Sequence, residues 1–343
     1  MTEPAVQLEN AKRSFGSTAA LDDLSLDIPQ GDVLSLVGPS GCGKSTLLRV
    51  ISGVERLDSG HVFLNGRPVD GDGFIEPEAR GVGFMFQDYA LFPHLSVRDN
   101  VLFGLKKRKR ADATARAQDL LGRLGIAHLA GRFPHALSGG EQQRVALARA
   151  LAPEPGIILM DEPFSNLDQG LRQRVRDETL SVLRASGTTV IMVTHDPQEA
   201  LSAGNRVVLM RKGSIVQAGT PYDLYDRPVD AYAAAFFSAL NAVPGFIRGG
   251  RVETRVGTFA APSGLTREGK TTVFIRPDAI HVTTVPGDVQ ARIRQRVFLG
   301  TTENVVLEVE GLDQPLTVAT PTRLPVDADM VFFSVLPRKV LIF

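Results

Sequence analysis

The sequence of 343 residues has one cysteine, no tryptophan and no net charge, because 38 basic side chains balance 38 acidic ones. The single cysteine, Cys42, excludes an intramolecular disulfide framework and is typical of a protein in a reducing compartment. Zero net charge gives no general attraction to nucleic acid or to acidic lipid. These absences exclude a disulfide-stabilised scaffold and disfavour a nonspecific nucleic-acid binder.

Long hydrophobic runs are also missing, since no apolar stretch approaches the roughly 18 residues that a membrane-spanning helix requires. The longest runs, at residues 157–160 and 190–193, have the length of buried strands. Residues 1–4 show neither the basic nor the apolar region of an export signal, so we expect a cytoplasmic protein. If it serves a membrane, we expect it to act from the cytoplasmic side through partner proteins.

Length and patterning predict two domains. Apolar content of 43% and charged content of 22% are those of an ordinary soluble globular protein. Strand-like runs alternate with helical spacings up to residue 240, and short alternating runs separated by turn residues follow. We therefore predict an α/β domain over residues 1–240 and a small all-β domain over residues 241–343, linked by residues 240–244. The second domain shows no metal-ligand cluster and no catalytic set.

The most informative stretch matches the phosphate-binding pattern G-x-x-x-x-G-K-[ST]. Its glycines allow a tight turn in which successive backbone N–H groups point at phosphate oxygens. Lys44 would bring a charge to the β- and γ-phosphates, and the Ser45 hydroxyl would bind Mg²⁺. A strand-like run at residues 32–37 precedes the loop, and helical spacing at residues 47–51 follows it. The predicted phosphate-binding residues are Gly38, Pro39, Ser40, Gly41, Cys42, Gly43, Lys44, Ser45 and Thr46.

Two further predicted strands end in polar side chains. The apolar run at residues 156–160 reads as a buried parallel strand that ends in Asp161 and Glu162, at the edge where α/β sheets bind ligands. Asp161 would hold Mg²⁺, directly or through water, and Glu162 would polarise the attacking water. Such an acidic pair is often only a helix cap, but a phosphate loop upstream favours the metal interpretation. The strand at residues 188–194 delivers His195 to the same edge, near the γ-phosphate.

Two motifs leave alternatives open. Gln87 ends a predicted strand, and its amide oxygen could reach a metal or a water, or the side chain could merely cap a loop. Ser138 and Glu141 form a capping box that predicts the start of a helix. Gly139 and Gly140 in its first turn cost stability but leave bare backbone open to an anion. A tightly packed helix cap would explain the same residues.

Three other features have competing interpretations. Phe15 could stack on a purine ring, or it could be an ordinary core or surface aromatic. Cys42 is either redox-sensitive or, as we favour, a small residue that the loop tolerates. The basic run at residues 106–110 is consistent with nucleic-acid binding or nuclear targeting. In a neutral protein we favour a solvated loop before a helix predicted at residues 112–124.

The order of these motifs resembles that of the ATPase subunits of ABC transporters, over residues 5–240. The resemblance implies a P-loop NTPase fold with a mixed sheet and an inserted helical subdomain at about residues 88–155. It also implies that two copies pair head to tail, with each ATP between one phosphate loop and the partner's Ser138, Gly139 and Gly140. The sequence alone leaves open whether the second anion site acts within one chain or between two. The roles implied are Phe15 and Asp168 for nucleotide binding, Glu162, His195 and Gln87 for catalysis, and Ser45, Gln87 and Asp161 for Mg²⁺.

Residues 274–278 and 298–300 resemble the transport-associated β-domain of bacterial import ATPases, which is OB-like. In that family the domain supports dimerisation and sometimes regulation. For this chain we favour a domain that supports the dimer and binds no ligand. The resemblance further implies two membrane permease subunits, contacted through residues 88–105, and an extracytoplasmic solute-binding protein. The ATPase would then lie at the cytoplasmic face of the inner membrane.

The sequences of residues 86–94, 164–168 and 176–179 most resemble those of ATPases that serve ferric-iron importers. Sugar, polyamine, sulfate and phosphonate importers share much of these sequences, and the ATPase itself does not touch the solute. The competing class is a soluble ABC-type ATPase that acts on ribosomes or nucleic acid. Such proteins usually have two cassettes or a coiled-coil insertion. This chain shows neither, so we expect no nucleic-acid partner.

Overall fold

The computed structural model describes residues 3–105, 109–262 and 268–343. The chain divides into two compact units, one reaching to Leu224 and the other formed by Tyr225–Phe343. The predicted division at residue 240 stays a prediction. Within the basic run, residues 106–108 lie outside the described ranges, so its interpretation as a solvated loop also stays a prediction.

The first unit combines strands and helices. Its strands are β1 (Val6–Phe15), β2 (Thr18–Ile28), β3 (Val33–Val37), β4 (Ser59–Leu64), β5 (Arg67–Asp70), β6 (Val82–Met85), β7 (Ile157–Asp161), β8 (Thr189–Thr194), β9 (Arg206–Arg211) and β10 (Ser214–Gly219). The α-helices of the described chain are α1 (Lys44–Ser52), α2 (Val97–Phe103), α3 (Arg110–Arg123), α4 (Gly139–Leu151), α5 (Gln169–Ala185), α6 (Pro197–Ala203), α7 (Pro221–Asp226) and α8 (Ala231–Phe237). Across the described ranges, none of them combines the length and the apolar character that crossing a bilayer demands.

The first unit contains one mixed and one antiparallel sheet. The mixed sheet has the order β10-β9-β3-β8-β7-β6. Its strands are parallel except for β10, which pairs antiparallel with β9 at the edge. The antiparallel sheet has the order β2-β1-β4-β5. This arrangement confirms the predicted α/β fold with a mixed sheet.

The central strands β7 and β8 are buried along their whole length. Their side chains alternate between two cores, as the period of two of a strand requires. Ile158 and Met160 lie in a cluster with apolar residues of α2, α3 and α4. Ile157 and Leu159 lie in a second cluster with residues of α1, β1 and β2. The sheet is therefore covered on both faces, which explains why its central strands are apolar without alternation.

The parallel strands end together at one edge of the mixed sheet. Val37 at the end of β3 pairs with Thr194, and Asp161 at the end of β7 pairs with Val193. The phosphate loop begins after Val37, and His195 follows Thr194. The register thus places these three chain segments side by side.

Between β6 and β7 the chain forms α2, α3 and α4, which pack against one another. Val101 of α2, Leu120 of α3 and Leu147 of α4 are buried in the same cluster. Residue 125 ends the α3 region with a glycine of positive φ, as the sequence predicts. This helical layer lies inside the predicted subdomain at residues 88–155, whose bounds stay a prediction.

The second unit contains two antiparallel sheets, of orders β13-β12-β11-β14-β20 and β15-β19-β16-β17-β18. Its strands are β11 (Asn241–Arg248), β12 (Arg251–Thr254), β13 (Gly257–Ala260), β14 (Gly269–Ile275), β15 (Ile280–Thr283), β16 (Val289–Phe298), β17 (Glu303–Glu308), β18 (Leu316–Thr320), β19 (Met330–Val335) and β20 (Val340–Ile342). Apolar side chains of both sheets share one core. The prediction of a small β-domain is therefore confirmed.

The predicted linker at residues 240–244 is wrong, because β11 starts within it. Asn241 is buried and ties the two sheets of the second unit together. Its amide nitrogen donates to the carbonyl oxygens of Ile275, at 3.2 Å, and Thr317, at 2.8 Å. Its amide oxygen accepts from the backbone N–H of Thr317 at 2.7 Å. A polar residue that looks like a linker in the sequence is thus an internal brace.

Candidate active site

The phosphate loop is shaped by glycines at positions that a side chain cannot occupy. A Cβ on Gly43 would lie 2.1 Å from the carbonyl oxygen of Ala20, and the φ of Gly43 is +106°. A Cβ on Gly38 would lie 2.3 Å from the carbonyl oxygen of Met210. Real Cβ atoms do not approach oxygen so closely, so both positions require glycine. The loop is therefore held in contact with β2 and β9.

The start of α1 offers a cradle for an anion. No side chain caps this helix, so its first N–H groups keep no intrahelical or side-chain partner. The Lys44 ammonium is buried and donates to the carbonyl oxygens of Gly38, at 2.8 Å, and Pro39, at 3.0 Å. Lys44 thus spans the loop, and its charge adds to the positive end of the helix dipole.

Ser45 and Asp161 meet beside this cradle. The Ser45 hydroxyl donates to Asp161 Oδ1 at 3.0 Å. Burial raises the pKa of Asp161, the Ser45 hydrogen bond opposes that rise, and neighbouring Glu162 adds to it. The two groups supply hard oxygen atoms, which suit Mg²⁺. Among the described residues, no cluster of three or more His, Cys, Asp and Glu side chains forms a metal site.

Glu162 is the centre of a second group. One of its carboxylate oxygens, Oε2, lies 3.0 Å from His195 Nδ1. Gln87 Nε2 donates to the same oxygen at 3.5 Å. Glu162 itself has a φ of +45°, which is uncommon for a residue with a side chain. The three residues predicted to be catalytic are therefore brought together at one oxygen atom.

Gln87 is positioned through its backbone. Asn166 Nδ2 donates to the Gln87 carbonyl oxygen at 3.0 Å. The next residues, Tyr89 and Ala90, both have positive φ, and their carbonyl oxygens accept from the Arg149 guanidinium at 2.8 Å and 2.6 Å. The sequence analysis missed these contacts, since neither asparagine nor arginine stands in a distinctive pattern there.

A buried carboxyl group that the sequence analysis also missed supports the turn that carries His195. Glu199 Oε2 accepts a hydrogen bond from the Thr194 hydroxyl. The same hydroxyl accepts from the backbone N–H of Asp196 at 3.0 Å. Thr194 and Asp196 flank His195, so this chain of hydrogen bonds fixes the turn that carries the imidazole. Burial raises the pKa of Glu199, although its bond with Thr194 opposes the rise.

The predicted capping box at the start of α4 is confirmed. Glu141 Oε2 accepts from the Ser138 backbone N–H at 2.7 Å and from the Ser138 hydroxyl at 2.8 Å. Both bonds lower the pKa of Glu141, and the bond from the Ser138 backbone N–H lowers it more. In the described chain, Ser138, Gly139 and Gly140 form no hydrogen bond with the phosphate loop.

In the described chain, neither Phe15 nor Asp168 forms a hydrogen bond with these groups. Phe15 ends β1 at a hairpin tip, and its side chain is 45% exposed. Asp168 is exposed just before α5, and in the described chain it has no hydrogen bond with the phosphate loop. The structure therefore leaves both roles as predictions.

Comparison with known proteins decides the family. Residues 21–165 match the family described as ABC transporter, and residues 273–343 match the TOBE domain. The chain is 42% identical to the Fe(3+) ions import ATP-binding protein FbpC of Streptomyces coelicolor, over 91% of this chain and 89% of that protein. The chain belongs to the ABC transporter family. This ABC ATPase is also 39% identical to the sulfate/thiosulfate import ATP-binding protein CysA 1 of Chromobacterium violaceum, over 95% of the chain and 92% of the relative.

Solved structures agree with the fold of this ABC ATPase. An ATP-binding cassette solved as a dimer in a post-hydrolysis state, bound to ADP and Pi, has a TM-score of 0.55 and 32% identity. It matches 63% of this chain and 98% of its own. CbiO1 from Clostridium perfringens, part of an ABC transporter complex, has a TM-score of 0.58 and 28% identity, over 64% of this chain and 90% of its own. The predicted ABC-type ATPase with a C-terminal β-domain is therefore confirmed.

Proposed function

We propose that this ABC ATPase hydrolyses ATP at the common edge of β3, β7 and β8, and that hydrolysis powers solute import. The convergence of His195 and Gln87 on one oxygen of Glu162 carries the proposal. A carboxylate fixed by two such partners can polarise a water for attack on a phosphoryl group. The cradle at the start of α1 would hold that phosphoryl group.

Each residue of the site has a distinct task in this proposal. Lys44, which now donates to backbone carbonyl oxygens, would exchange them for phosphate oxygens of higher charge. His195, with its proton on Nδ1, would donate to Glu162 and hold the carboxylate in orientation. Gln87 would position the water or contribute its amide oxygen to the metal. Phe15 would stack on the adenine, and Asp168 would contribute to nucleotide binding.

Mg²⁺ fits the donor set beside the cradle. Ser45 and Asp161 would bind it through the two oxygen atoms that now share a hydrogen bond. Few protein ligands are expected, because Mg²⁺ usually keeps waters and phosphate oxygens in its octahedral shell. When bound, the ion would neutralise charge on the β- and γ-phosphates. It would also compensate the carboxylate charge that burial disfavours at Asp161.

We propose that the active form is a head-to-tail pair of two copies. The absence of bonds between the start of α4 and the phosphate loop in the described chain supports this arrangement. Ser138, Gly139 and Gly140 would then contact nucleotide held by the other copy. The solved relative that is a dimer with ADP and Pi also supports it. The domain bounds proposed are residues 1–240, with a helical subdomain at about 88–155, and 241–343.

Residues 88–105 would form the contact with two membrane permease subunits. In this segment Asn100 is buried and bonds to Phe92 through both of its amide atoms, at 2.9 Å and 3.1 Å. The Phe92 ring lies 4.3 Å from that of Phe103, centroid to centroid. A braced segment that still exposes an aromatic side chain suits a docking surface. The ATPase would lie at the cytoplasmic face of the membrane, with an extracytoplasmic solute-binding protein as an indirect partner and no nucleic-acid partner.

The proposed solute is ferric iron, and sulfate or thiosulfate is the second candidate. Relatives named for iron import are 42% and 40% identical to the chain, and relatives named for sulfate import are 39% and 42% identical. We place iron first because the sequence of residues 86–94 most resembles that of ATPases serving ferric-iron importers. The β-domain would brace the dimer.

Uptake in the native host tests this assignment. A strain lacking the gene is expected to lose uptake of radiolabelled ferric iron and to regain it with the intact gene. The matched control is complementation with Glu162→Gln, which should make protein but not restore uptake. Loss of sulfate uptake alone would select the second candidate, and unchanged uptake of both solutes would reject both.

A further inference from the structure

Arg13 of β1 is held by two carboxylates. Its Nη1 donates to Asp58 Oδ1 at 2.8 Å, and its Nη2 donates to Glu55 Oε2 at 2.9 Å. The other oxygen of Asp58 accepts from the backbone N–H of Ser14 at 2.6 Å. The side chain of Arg13 is 24% exposed. The planar guanidinium is thus fixed in position and orientation just before Phe15.

This guanidinium lies over the ring of Phe15. The distance from its central carbon to the ring centroid is 4.8 Å, within the range of about 6 Å for a cation–π contact. Phe15 is followed by Gly16, whose φ of +59° makes the hairpin turn. A ring at a hairpin tip would otherwise rotate freely. Contact with a fixed cation on one face selects one ring orientation and leaves the exposed remainder for a base.

One anchor of Arg13, Glu55, is attached to the helix that follows the phosphate loop, and the other, Asp58, to β1. Helix α1 ends at Ser52 with Gly53 as its C-cap, and the backbone N–H of Glu55 donates back to the Arg49 carbonyl oxygen at 3.1 Å. The backbone N–H of Asp58 donates to the Lys12 carbonyl oxygen at 2.8 Å. Glu55 therefore has a set position relative to α1, whereas Asp58 is tied to β1 itself. Through Glu55, Arg13 connects the hairpin tip to the element that begins in the phosphate cradle.

We propose that Arg13 is a positioning residue for nucleotide binding, which fixes the Phe15 ring at a set separation from the phosphate loop. Glu55 and Asp58 are the anchors of this device. The inference rests on the proposed function, because it requires that Phe15 stacks on the adenine of ATP. Arg13 would thus contribute to the affinity for the adenine base without contacting the nucleotide.

Arg13→Ala tests the inference through ATP affinity and steady-state kinetics. Loss of one cation–π contact and its ordering effect should weaken ATP binding about three- to tenfold. KM for ATP should rise in parallel, while kcat stays unchanged, because the phosphate cradle and Glu162 are intact. Arg56→Ala is the matched control. Arg56 lies between the anchors Glu55 and Asp58 in the chain and over another aromatic ring, that of Phe74, so its removal should leave ATP affinity unchanged.

A double-mutant cycle with Phe15→Ala separates positioning from general destabilisation. If Arg13 acts through the ring, adding Arg13→Ala to Phe15→Ala should not weaken ATP binding further. With Phe15 intact, Asp58→Asn, which keeps the shape of the anchor but removes its charge, should weaken ATP binding less than Arg13→Ala does.

Four results would overturn the inference, and they lead to three distinguishable conclusions. Full additivity in the cycle, or a fall in kcat equal to the change in kcat/KM, would mean that Arg13 only stabilises the fold. Unchanged ATP affinity of Arg13→Ala, with weakened binding by Phe15→Ala, would reject the positioning role and keep the stacking role. Unchanged affinity of Phe15→Ala would reject adenine stacking itself, and with it this part of the proposed function.

Discussion

Replacing Glu162 with glutamine removes a negative charge from the centre of the site without changing its shape. His195 Nδ1 and Gln87 Nε2 both lie within reach of Glu162 Oε2, at 3.0 Å and 3.5 Å, and a glutamine oxygen can still accept from them. The geometry should therefore survive while the capacity to polarise water is lost. General-base catalysis contributes about 10²- to 10⁴-fold, so we expect kcat to fall by that factor. This corresponds to about 2.7–5.4 kcal/mol in the activation free energy.

The assay is phosphate release at saturating ATP, together with equilibrium binding of ATP. Affinity for ATP should be unchanged in Glu162→Gln, and an ATP-bound dimer should accumulate in size-exclusion chromatography. The matched control is Glu199→Gln, the same chemical change at a buried carboxyl group. The glutamine oxygen can still accept from the Thr194 hydroxyl, so the turn that carries His195 should persist and kcat should stay within a few-fold of that of the unmodified protein. A Glu162→Gln protein that hydrolyses ATP at the unmodified rate would refute the assigned role. An equal loss in both variants would show that the turn carrying His195, rather than the Glu162 charge, limits hydrolysis.

Three further predictions concern the phosphate loop and the support of His195. Lys44→Ala should weaken ATP binding measured by titration, because it removes the ammonium from the cradle; unchanged affinity would contradict the proposed grip. Gly43→Ala should lower stability by more than about 2 kcal/mol in thermal unfolding, since its Cβ would lie 2.1 Å from the Ala20 carbonyl oxygen; Gly41→Ala, with open space around its Cβ, controls for positive φ alone. Burial raises the pKa of Glu199 in the folded state, so the protonated carboxyl stabilises the fold below its unfolded pKa, and this stability is lost as pH rises through the folded pKa. Glu199→Gln should therefore raise Tm at pH 8 but not at about pH 4, and an equal shift at both would contradict the assignment.

Local patterns predicted the local structure around the candidate site. Gly38, Gly43 and Lys44 lie close together in the chain, so their spacing can be recognised in the sequence. The carbonyl oxygens of Ala20 and Met210, which exclude a side chain at the two glycines, cannot be. The uninterrupted apolar run before Asp161 likewise predicted a strand covered on both faces. The capping box at Ser138 was predictable because its partners are three residues apart.

The contacts that assemble the site were not predictable in the same way. Ser45 and Asp161 are 116 residues apart, Gln87 and Glu162 are 75 apart, and Glu162 and His195 are 33 apart. Residues 241–244, predicted to be a linker, instead pair with β14, and the Asn241 side chain bonds to Thr317 of the other sheet. Such pairings depend on sheet order and register, to which no local pattern is sensitive.

The sequence by itself determined which groups are available and how the backbone turns around them. It specified a phosphate loop with glycine at the required positions, two acidic residues after one buried strand and a histidine after another. The tertiary structure decided which of these groups meet. Parallel strands in register bring their carboxyl ends to one edge of the sheet. Residues far apart in the chain, such as Gln87 and His195, can then bond to the same oxygen atom of Glu162. It also decided the contacts of Arg13, Asn166 and Glu199, because an ion pair or a buried hydrogen bond forms wherever folding brings complementary groups together.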